Sequence, residues 1–539
     1  MSRSPRAEHS RNDTALASDR SSTCEPASSA TDDIGGRSHG GGKSPFAFTA
    51  PRRSLGRALA RRRRGKGIRS LAVVLGVATL LRVAGAWEWS LWEDEETTVY
   101  FALNPDRWFP RAFPVFFLAL EQVYAVAGVS AFAGRLLATV FGLSAIAVTF
   151  VTARRFVSRE CAVPASALLA INLGHVFWSQ SIRYYTAAAF FQSLSLLWFL
   201  DGFERRRFGR ILLANAALVA ALLSHFSAIL LVPVHAGYLM LAIARREKGG
   251  AYDFRGYGIY VASVLPILSW FIVELAAMEG RLSDWPIASA RDPLHVLTTV
   301  GAYFGFPILA LGCLGILLRG TGPRRVTLFF AVASIIPVLE LAVIAQLDRV
   351  NVCWYYALFA LEGFAILAAL ALLGLRERGH VRTAKTLAIL AAVYYLGFLG
   401  LYFTVMHGDR PRWREAADVV KNLAPIDPES TENPQVFATV PGAVAHYLGI
   451  APGETMNHPL VKNVPRVPPE QDPERDEWYV VKATHITPAW AEWYAARCDE
   501  RGRFEAGIPG VRRTLVVYEY SRPRHAAPDA TDRDPASGE

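Results

Sequence analysis

The sequence predicts an α-helical polytopic membrane protein of about eleven or more spans, with a small C-terminal α/β domain on its extracytoplasmic face. Three observations predict it. Over 539 residues, 52% are apolar and 12% aromatic, and the charges gather in short clusters between apolar stretches of roughly membrane-spanning length. Every second cluster is basic, the pattern of cytoplasmic loops. From Met406 the composition turns to that of a soluble domain, with Pro-rich connections and mixed helix and strand patterns.

Residues 1–67 are rich in Ser, Arg, Asp, Gly and Pro, and bury too little surface to offset their ordering entropy. They are expected to form a disordered basic cytoplasmic tail. Eight of the ten net positive charges belong to it, from 14 Lys/Arg against 6 Asp/Glu. Beside a membrane such a tail meets anionic lipid, at about 1 kcal/mol per basic residue, and no nucleic-acid role is expected. Its last run, Arg61-Arg62-Arg63-Arg64-Gly65-Lys66, holds the start of the first span in the cytosol. Ala84-Gly85-Ala86 resembles a signal-peptidase site, but the long leader and Arg82 argue against cleavage.

Spans are expected near residues 68–87, 132–152, 162–178, 186–203, 211–225, 227–244, 256–275, 297–318, 326–346, 353–373 and 385–405. The basic loops at Arg154-Arg155, Arg205-Arg206-Arg207, Arg245 to Lys248, Arg319 to Arg325 and Arg376 to Lys385 then all face the cytoplasm. Counting Phe113 to Gly128 as a span would reverse them, so that stretch reads as a juxtamembrane or re-entrant helix in the first outer loop, 88–131. An odd count puts residues 406–522 outside, on a cell (inner) membrane, with helices expected at 413–423, 442–448 and 488–498 and strands at 435–440, 477–483 and 513–520. Residues 523–539 read as a disordered tail.

The five cysteines, Cys24, Cys161, Cys313, Cys353 and Cys498, form no CxxC pair and no framework, so neither a disulfide nor a thiolate metal site is expected. A Walker loop, a GxGxxG fingerprint and an HExxH helix are all missing, which removes cytosolic nucleotide-driven transport and zinc proteolysis of that type.

Glu93-Asp94-Glu95-Glu96 follows the first apolar stretch directly, where carboxylates stay in water beside the membrane and can act on a lipid-borne substrate. Other ionisable and aromatic residues fall at the same face: Arg135, Arg183-Tyr184-Tyr185, His225, Asp348-Arg349 and Trp354-Tyr355-Tyr356. An anionic base with cationic stabilisers suits group transfer from a phosphate leaving group. Each has a blander reading. Arg135 pairs with Asp94 or Glu95 to hold the loop, His225 is a hydrogen-bonded helix end, Asp348-Arg349 cap a loop, and the aromatics are membrane anchors. Glu121, Glu274, Glu340 and Glu362 lie in apolar context, where carboxylates are functional candidates by default.

The order and sidedness of several short motifs resemble the GT-C superfamily of polyprenyl-phosphate-dependent glycosyltransferases, in particular the bacterial group similar to protein O-mannosyltransferases and the aminoarabinose transferase of lipid A. The motifs are Asp94-Glu95, Phe113-Pro114-Val115-Phe116, Gly134-Arg135-Leu136, Ser179 to Tyr185, Leu223-Ser224-His225-Phe226 and Trp413-Arg414-Glu415-Ala416-Ala417. Two depart from the usual pattern: Phe113 stands where a first proline is common, and Val352 to Tyr356 replaces an Arg-Tyr-x-x-Pro run.

The resemblance implies transfer of a sugar from a polyprenyl-phosphate donor to a protein, lipid or glycan acceptor on the extracytoplasmic face, with inversion. Asp94 is the expected general base, with Glu95 as its positioning partner or its replacement. Arg183, Arg135, His225 and Arg349 are candidates for the donor phosphate, and Tyr184, Tyr185 and Tyr355 for substrate contact. No cofactor is expected to be required; a divalent cation gathered by Asp94, Glu95 and His225 is the alternative to Arg183. The rival classes are a transporter or flippase, which commonly shows internal repeats not found here, and a noncatalytic membrane binding protein.

Overall fold

In a computed structural model the chain is described over residues 52–244, 254–282, 293–318, 324–346, 352–424, 426, 433–470, 473–508 and 511–521. Residues 1–51 of the expected N-terminal tail, residue 522 and the whole expected C-terminal tail, 523–539, lie outside the described residues. Helical backbone starts earlier than expected: α1 runs Arg52–Val83, ahead of the boundary placed at residue 68.

A loop of short helices follows: α2 (Glu93–Leu103), α3 (Trp108–Ala112) and α4 (Pro114–Ala127). Pro114 opens α4, where its missing N–H costs nothing, and Gly128 closes it at φ 79°. At 14 residues α4 is too short to cross a bilayer, and it packs on α2 and α5. The bundle proper comprises α5 (Ala131–Phe156), α6 (Arg159–Ala170), α7 (Leu173–Ser179), α8 (Tyr185–Glu204), α9 (Phe208–Leu222), α10 (Leu231–Ala244), α11 (Phe254–Leu282), α12 (Pro293–Phe304), α13 (Phe306–Leu318), α14 (Arg324–Ala345), α15 (Ala360–Glu377) and α16 (Val381–Thr404). Side-chain caps set the starts of three of them: Ser130 accepts from Ala133 N, Ser158 from Cys161 N and Asn172 from His175 N.

Among the described residues, five helices are long and apolar enough to span a membrane, α10 counted together with the tighter turn Phe226–Leu230 that leads into it, or seven if each of two bent pairs counts as one. That is fewer than the eleven expected, although every expected stretch falls on a helix or helix pair. The third breaks by 64° between α6 and α7, and the eighth by 96° at Gly305, φ 85°, between α12 and α13. The fifth, α9, has only 15 residues.

Helix α15 is the axis of the bundle, buried continuously from Ala360 to Ala371 between α6, α13, α14 and α16. Small residues allow the approach: Gly315 of α13 faces the Leu367 carbonyl, where a Cβ has no room. Helices α11 and α16 instead leave Ile272, Val273, Ile389, Val393 and Leu396 exposed, an apolar exterior that suits lipid.

The C-terminal domain contains α17 (Trp413–Leu423), β1 (Gln435–Ala438), α18 (Pro441–Leu448), β2 (Val461–Asn463), β3 (Glu477–Lys482), α19 (Pro488–Arg497), β4 (Asp499–Ile508) and β5 (Val511–Tyr520). The sheet order is β2-β1-β3-β5-β4, with β1 parallel to β2 and β3 and the other pairs antiparallel. Alternation along β3 sends Trp478 and Val480 to α17 and α18, and Tyr479 and Val481 to Trp490, Trp493 and Tyr494 of α19. Three layers result. The strands β2 and β4 were not expected; β4 is a sheet-edge strand with Arg501, Arg503 and Glu505 on its exposed positions.

The chain passes from α16 into this domain through a left-handed turn, with φ of 50° at His407, 67° at Gly408 and 55° at Asp409. Asp409 is clamped by Arg513 at 2.9 and 3.2 Å and by the Tyr303 hydroxyl at 3.2 Å. Gly408 lies against the Trp89 ring, which leaves no room for a Cβ. Gly408→Ala is therefore expected to destabilise the protein by at least about 1–2 kcal/mol, measured as a loss of thermal stability in detergent; an unchanged melt would show that the turn is not strained.

Candidate active site

The first turn of α2 is wholly acidic, which its dipole favours. Successive helical residues point about 100° apart, so the four carboxylates diverge. Glu95 points into the protein and is fully buried. Arg135 of α5 grips it in a fork, Nε to Oε1 at 2.9 Å and Nη2 to Oε2 at 2.7 Å. Arg410 donates to Oε2 at 3.2 Å and the Ile182 amide to Oε1 at 3.0 Å. Burial alone would raise this carboxyl, but Arg135 and Arg410 outweigh it and hold it down to about 2. Glu95 is thus a fixed anion and a poor proton acceptor. Arg135 follows its blander reading: its remaining donors go to the carbonyls of Ala86, Trp89 and Ser90.

Asp94 points elsewhere. Its side chain is about one-third exposed and stands 3.8 Å from Arg183, itself almost buried. Burial moves the Asp94 carboxyl above the ordinary aspartate range, and Arg183 opposes that shift. Arg183 is positioned by the α7–α8 connection: Nη1 donates to the Asp94 carbonyl at 3.2 Å and to Thr98 Oγ1 at 2.9 Å, Nη2 to the Tyr184 hydroxyl at 2.8 Å and to that of Tyr185 at 3.4 Å. Its guanidinium lies 4.6 Å from the Tyr184 ring centroid. Its Nε is buried without a protein partner.

An aromatic wall encloses this pair. His225 stacks on Tyr184 at 4.9 Å and on Phe113 at 5.5 Å, and Tyr355 meets Tyr185 at 4.5 Å and Trp178 at 4.4 Å. Phe113, the departure from the usual proline, is part of that wall. The Nδ1 of His225 accepts from the Ser227 amide at 3.1 Å, the helix-end role expected of it. Asp94, Arg183, Tyr184, Tyr185, His225 and Tyr355 therefore come together, while Glu95 and Arg135 form a structural centre behind them. Arg349 and Asp348 lie outside the described residues.

The outer flank belongs to the C-terminal domain. Glu93 pairs with Lys482 at 2.5 Å, Glu96 accepts from Thr455, beyond the end of α18, and lies against Gly442 at its start, and Tyr447 accepts from the Leu91 amide at 2.6 Å. Among the described residues no group of three or more His, Cys, Asp or Glu is placed to hold a metal ion. Glu362 lies buried beside Ser193 and Thr149. Glu340 lines an apolar groove of about 520 Å³ with Ile229, Leu230, Pro233 and Ile336, starting four residues beyond His225.

Sequence reasoning missed Arg410, which also donates to the Gln180 carbonyl at 2.7 Å and Ser181 Oγ at 3.0 Å. Its local context, one of three alternate arginines (Arg410, Arg412 and Arg414) after the last span, did not single it out. Thr98 was missed as well; its spacing of four from Asp94 was the available clue.

Residues 110–270, which include Arg135, Arg183 and His225, match the profile of the family described as dolichyl-phosphate-mannose-protein mannosyltransferase. No curated protein matches the sequence. Among solved structures, ArnT from Cupriavidus metallidurans in the apo state aligns over 85% of this chain and 98% of its own, at 15% identity and a TM-score of 0.54. Archaeal oligosaccharyltransferase AglB from Archaeoglobus fulgidus, in complex with an inhibitory peptide and a dolichol-phosphate, aligns over 74% of this chain and 65% of its own, at 14% identity and a TM-score of 0.48. The resemblance to GT-C glycosyltransferases read from the motifs is thus borne out by the family match and by the fold shared with ArnT.

Removing one member of a buried ion cluster strands the others. Glu95→Gln is expected to lower stability by about 3–5 kcal/mol, read as a large fall in melting temperature, whereas Asp94→Asn leaves the melt near wild type. Equal effects of the two changes would contradict the division of roles between them.

Proposed function

We propose that this protein is a membrane glycosyltransferase that moves a sugar from a polyprenyl-phosphate donor to an acceptor hydroxyl or amine, with Asp94 as general base and Arg183 at the leaving phosphate. The observation that carries this reading is the Asp94–Arg183 pair, a carboxylate open to solvent beside a buried cation that keeps one donor unused. The family match, whose description names a dolichyl-phosphate sugar, supports the donor class. The apolar groove that starts at Ile229, four residues along the chain from His225, has the chemistry of an isoprenoid site.

The acceptor proton passes to Asp94 as its oxygen or nitrogen bonds to the anomeric carbon from the face opposite the phosphate. The bond from that carbon to the phosphate oxygen breaks, the electron pair leaves on the phosphate, and the configuration inverts. Arg183, whose charge is held firmly by Tyr184 and Asp94 against burial, stabilises the added negative charge. Because the Tyr184 hydroxyl accepts from Arg183, its own proton is free to donate to a phosphate oxygen. Glu95 and Arg135 act through α2, as positioning residues.

On this reading the donor phosphate is stabilised by Arg183 without a required metal. By the basic-loop pattern the site faces the extracytoplasmic side. The acceptor is a protein, lipid or glycan.

The test is transfer of labelled sugar from a panel of polyprenyl-phosphate sugars to endogenous acceptors. Asp94→Asn should lose at least about 100-fold in rate while still binding donor, and full activity in that variant would remove Asp94 from the mechanism. Arg183→Lys, which keeps charge but loses the fork, should lose on the order of 100-fold. Only the ionised base works, so activity should vanish as the pH falls, with its acid limb above the ordinary aspartate range because burial raises Asp94. An acid limb at the ordinary position would place the base elsewhere. EDTA should leave the rate unchanged; its loss, restored by a divalent cation, would replace Arg183 with a metal.

A further inference from the structure

The end of the bundle remote from Asp94 carries a second charged assembly. Arg155 is twenty residues along α5 from Arg135, about 30 Å at helical rise. There Asp201, in the last turn of α8, is fully buried while four arginines converge on it. Arg155 hydrogen-bonds Oδ1, Arg205 Nε stands 3.5 Å from the same oxygen, and Arg210 Nε and Arg207 Nη1 stand 3.5 and 3.8 Å from Oδ2. One carboxylate thus gathers four guanidinium groups and leaves three positive charges in excess.

A loop that needed only charge to set topology would not need a buried aspartate to collect its arginines. The backbone is bent to the same end: Arg206 adopts a left-handed conformation, φ 52°, which brings Arg205 and Arg207 to one carboxylate. Phe156 supports the cluster from below, with the Arg155 and Arg205 guanidinium groups 5.8 and 5.4 Å from its ring. Arg155 Nε is buried and has no protein partner, whereas Arg205, Arg207 and Arg210 keep 41, 55 and 37% of their side-chain surface open. Forked donors with excess charge suit a phosphate group.

The neighbouring side chains indicate which phosphate. Leu213 of α9, three residues beyond Arg210 and near its face, is exposed, as is Val151 of α5, one turn before Arg155. A charged ring with open apolar side chains about one turn away on two of its helices matches a molecule with a phosphate head and acyl chains. We propose that this cluster binds the headgroup of an anionic phospholipid in the leaflet opposite the candidate active site.

The test is native mass spectrometry of the purified full-length protein in detergent, titrated separately with phosphatidylglycerol, phosphatidylcholine, inorganic phosphate and ATP. Phosphatidylglycerol should bind on the order of tenfold more tightly than phosphatidylcholine, and Arg207→Gln/Arg210→Gln should lose about that factor. The double variant keeps the Arg155–Asp201 pair. Arg501→Gln/Arg503→Gln on the edge strand β4 removes the same charge elsewhere and should change nothing. Should the double variant not fold, Arg207→Gln alone, at the most exposed position, should still lose severalfold. Equal retention of the two lipids, equal loss in the β4 control, or displacement of phosphatidylglycerol by inorganic phosphate or ATP at matched concentration would each overturn the proposal.

Discussion

The structure depends on a single carboxylate. Glu95 joins α2, α5, the turn before α8 and the segment beyond α16, and does so fully buried. Taking one carboxylate and two guanidinium groups out of water costs several kcal/mol per ion, and only a complete set of hydrogen bonds offsets that. Arg135 and Arg410 meet the condition through Glu95, one tyrosine hydroxyl, one serine hydroxyl and five backbone carbonyls. The cluster fixes the rotation of α2 about its axis, and that rotation aims Asp94 at Arg183.

Two adjacent carboxylates therefore have opposite properties. Glu95, surrounded by cations, stays ionised and inert; Asp94, faced by one cation and open to solvent, can take a proton and give it up again. The aromatic wall of Phe113, Tyr184, Tyr185, His225 and Tyr355 limits water around the second without covering it. The C-terminal domain contributes to the same site through Lys482 on Glu93 and Thr455 on Glu96, which makes it a wall of the site as well as an appendage.

Much of this was legible in the sequence, for reasons that can be stated residue by residue. Spans are long, periodic and apolar, so their positions survive even where the chain bends at Gly305 or between Ala170 and Leu173. The bends themselves depend on packing and escaped notice. Arg183 was legible because an arginine directly before two tyrosines at a span end has few structural uses. The pair Asp94-Glu95 was found together but could not be divided, since the division is made by Arg135, 40 residues away, and Arg410, 315 residues away. Arg410 had no such context. It follows a left-handed turn whose conformation is set by Trp89 and Arg513, far along the chain on either side. The strands β2 and β4 are short or polar, and their pairing depends on neighbours that appear only in the folded sheet.

The 315 residues between Glu95 and Arg410 also set an order of events. Glu95 and Arg135 can pair as soon as the first spans enter the bilayer, but the second arginine leaves the ribosome only after the last one has been made. At 5–20 residues per second the interval is roughly 15–60 s. Through that time α2 is held by one cation instead of two, and Gln180 and Ser181 lack the donor that joins them to it. A chain that stops short of residue 410 keeps every membrane helix and Asp94 itself, yet never closes the cluster that aims it. Truncated products are thereby left without the contacts that turn Asp94 toward Arg183.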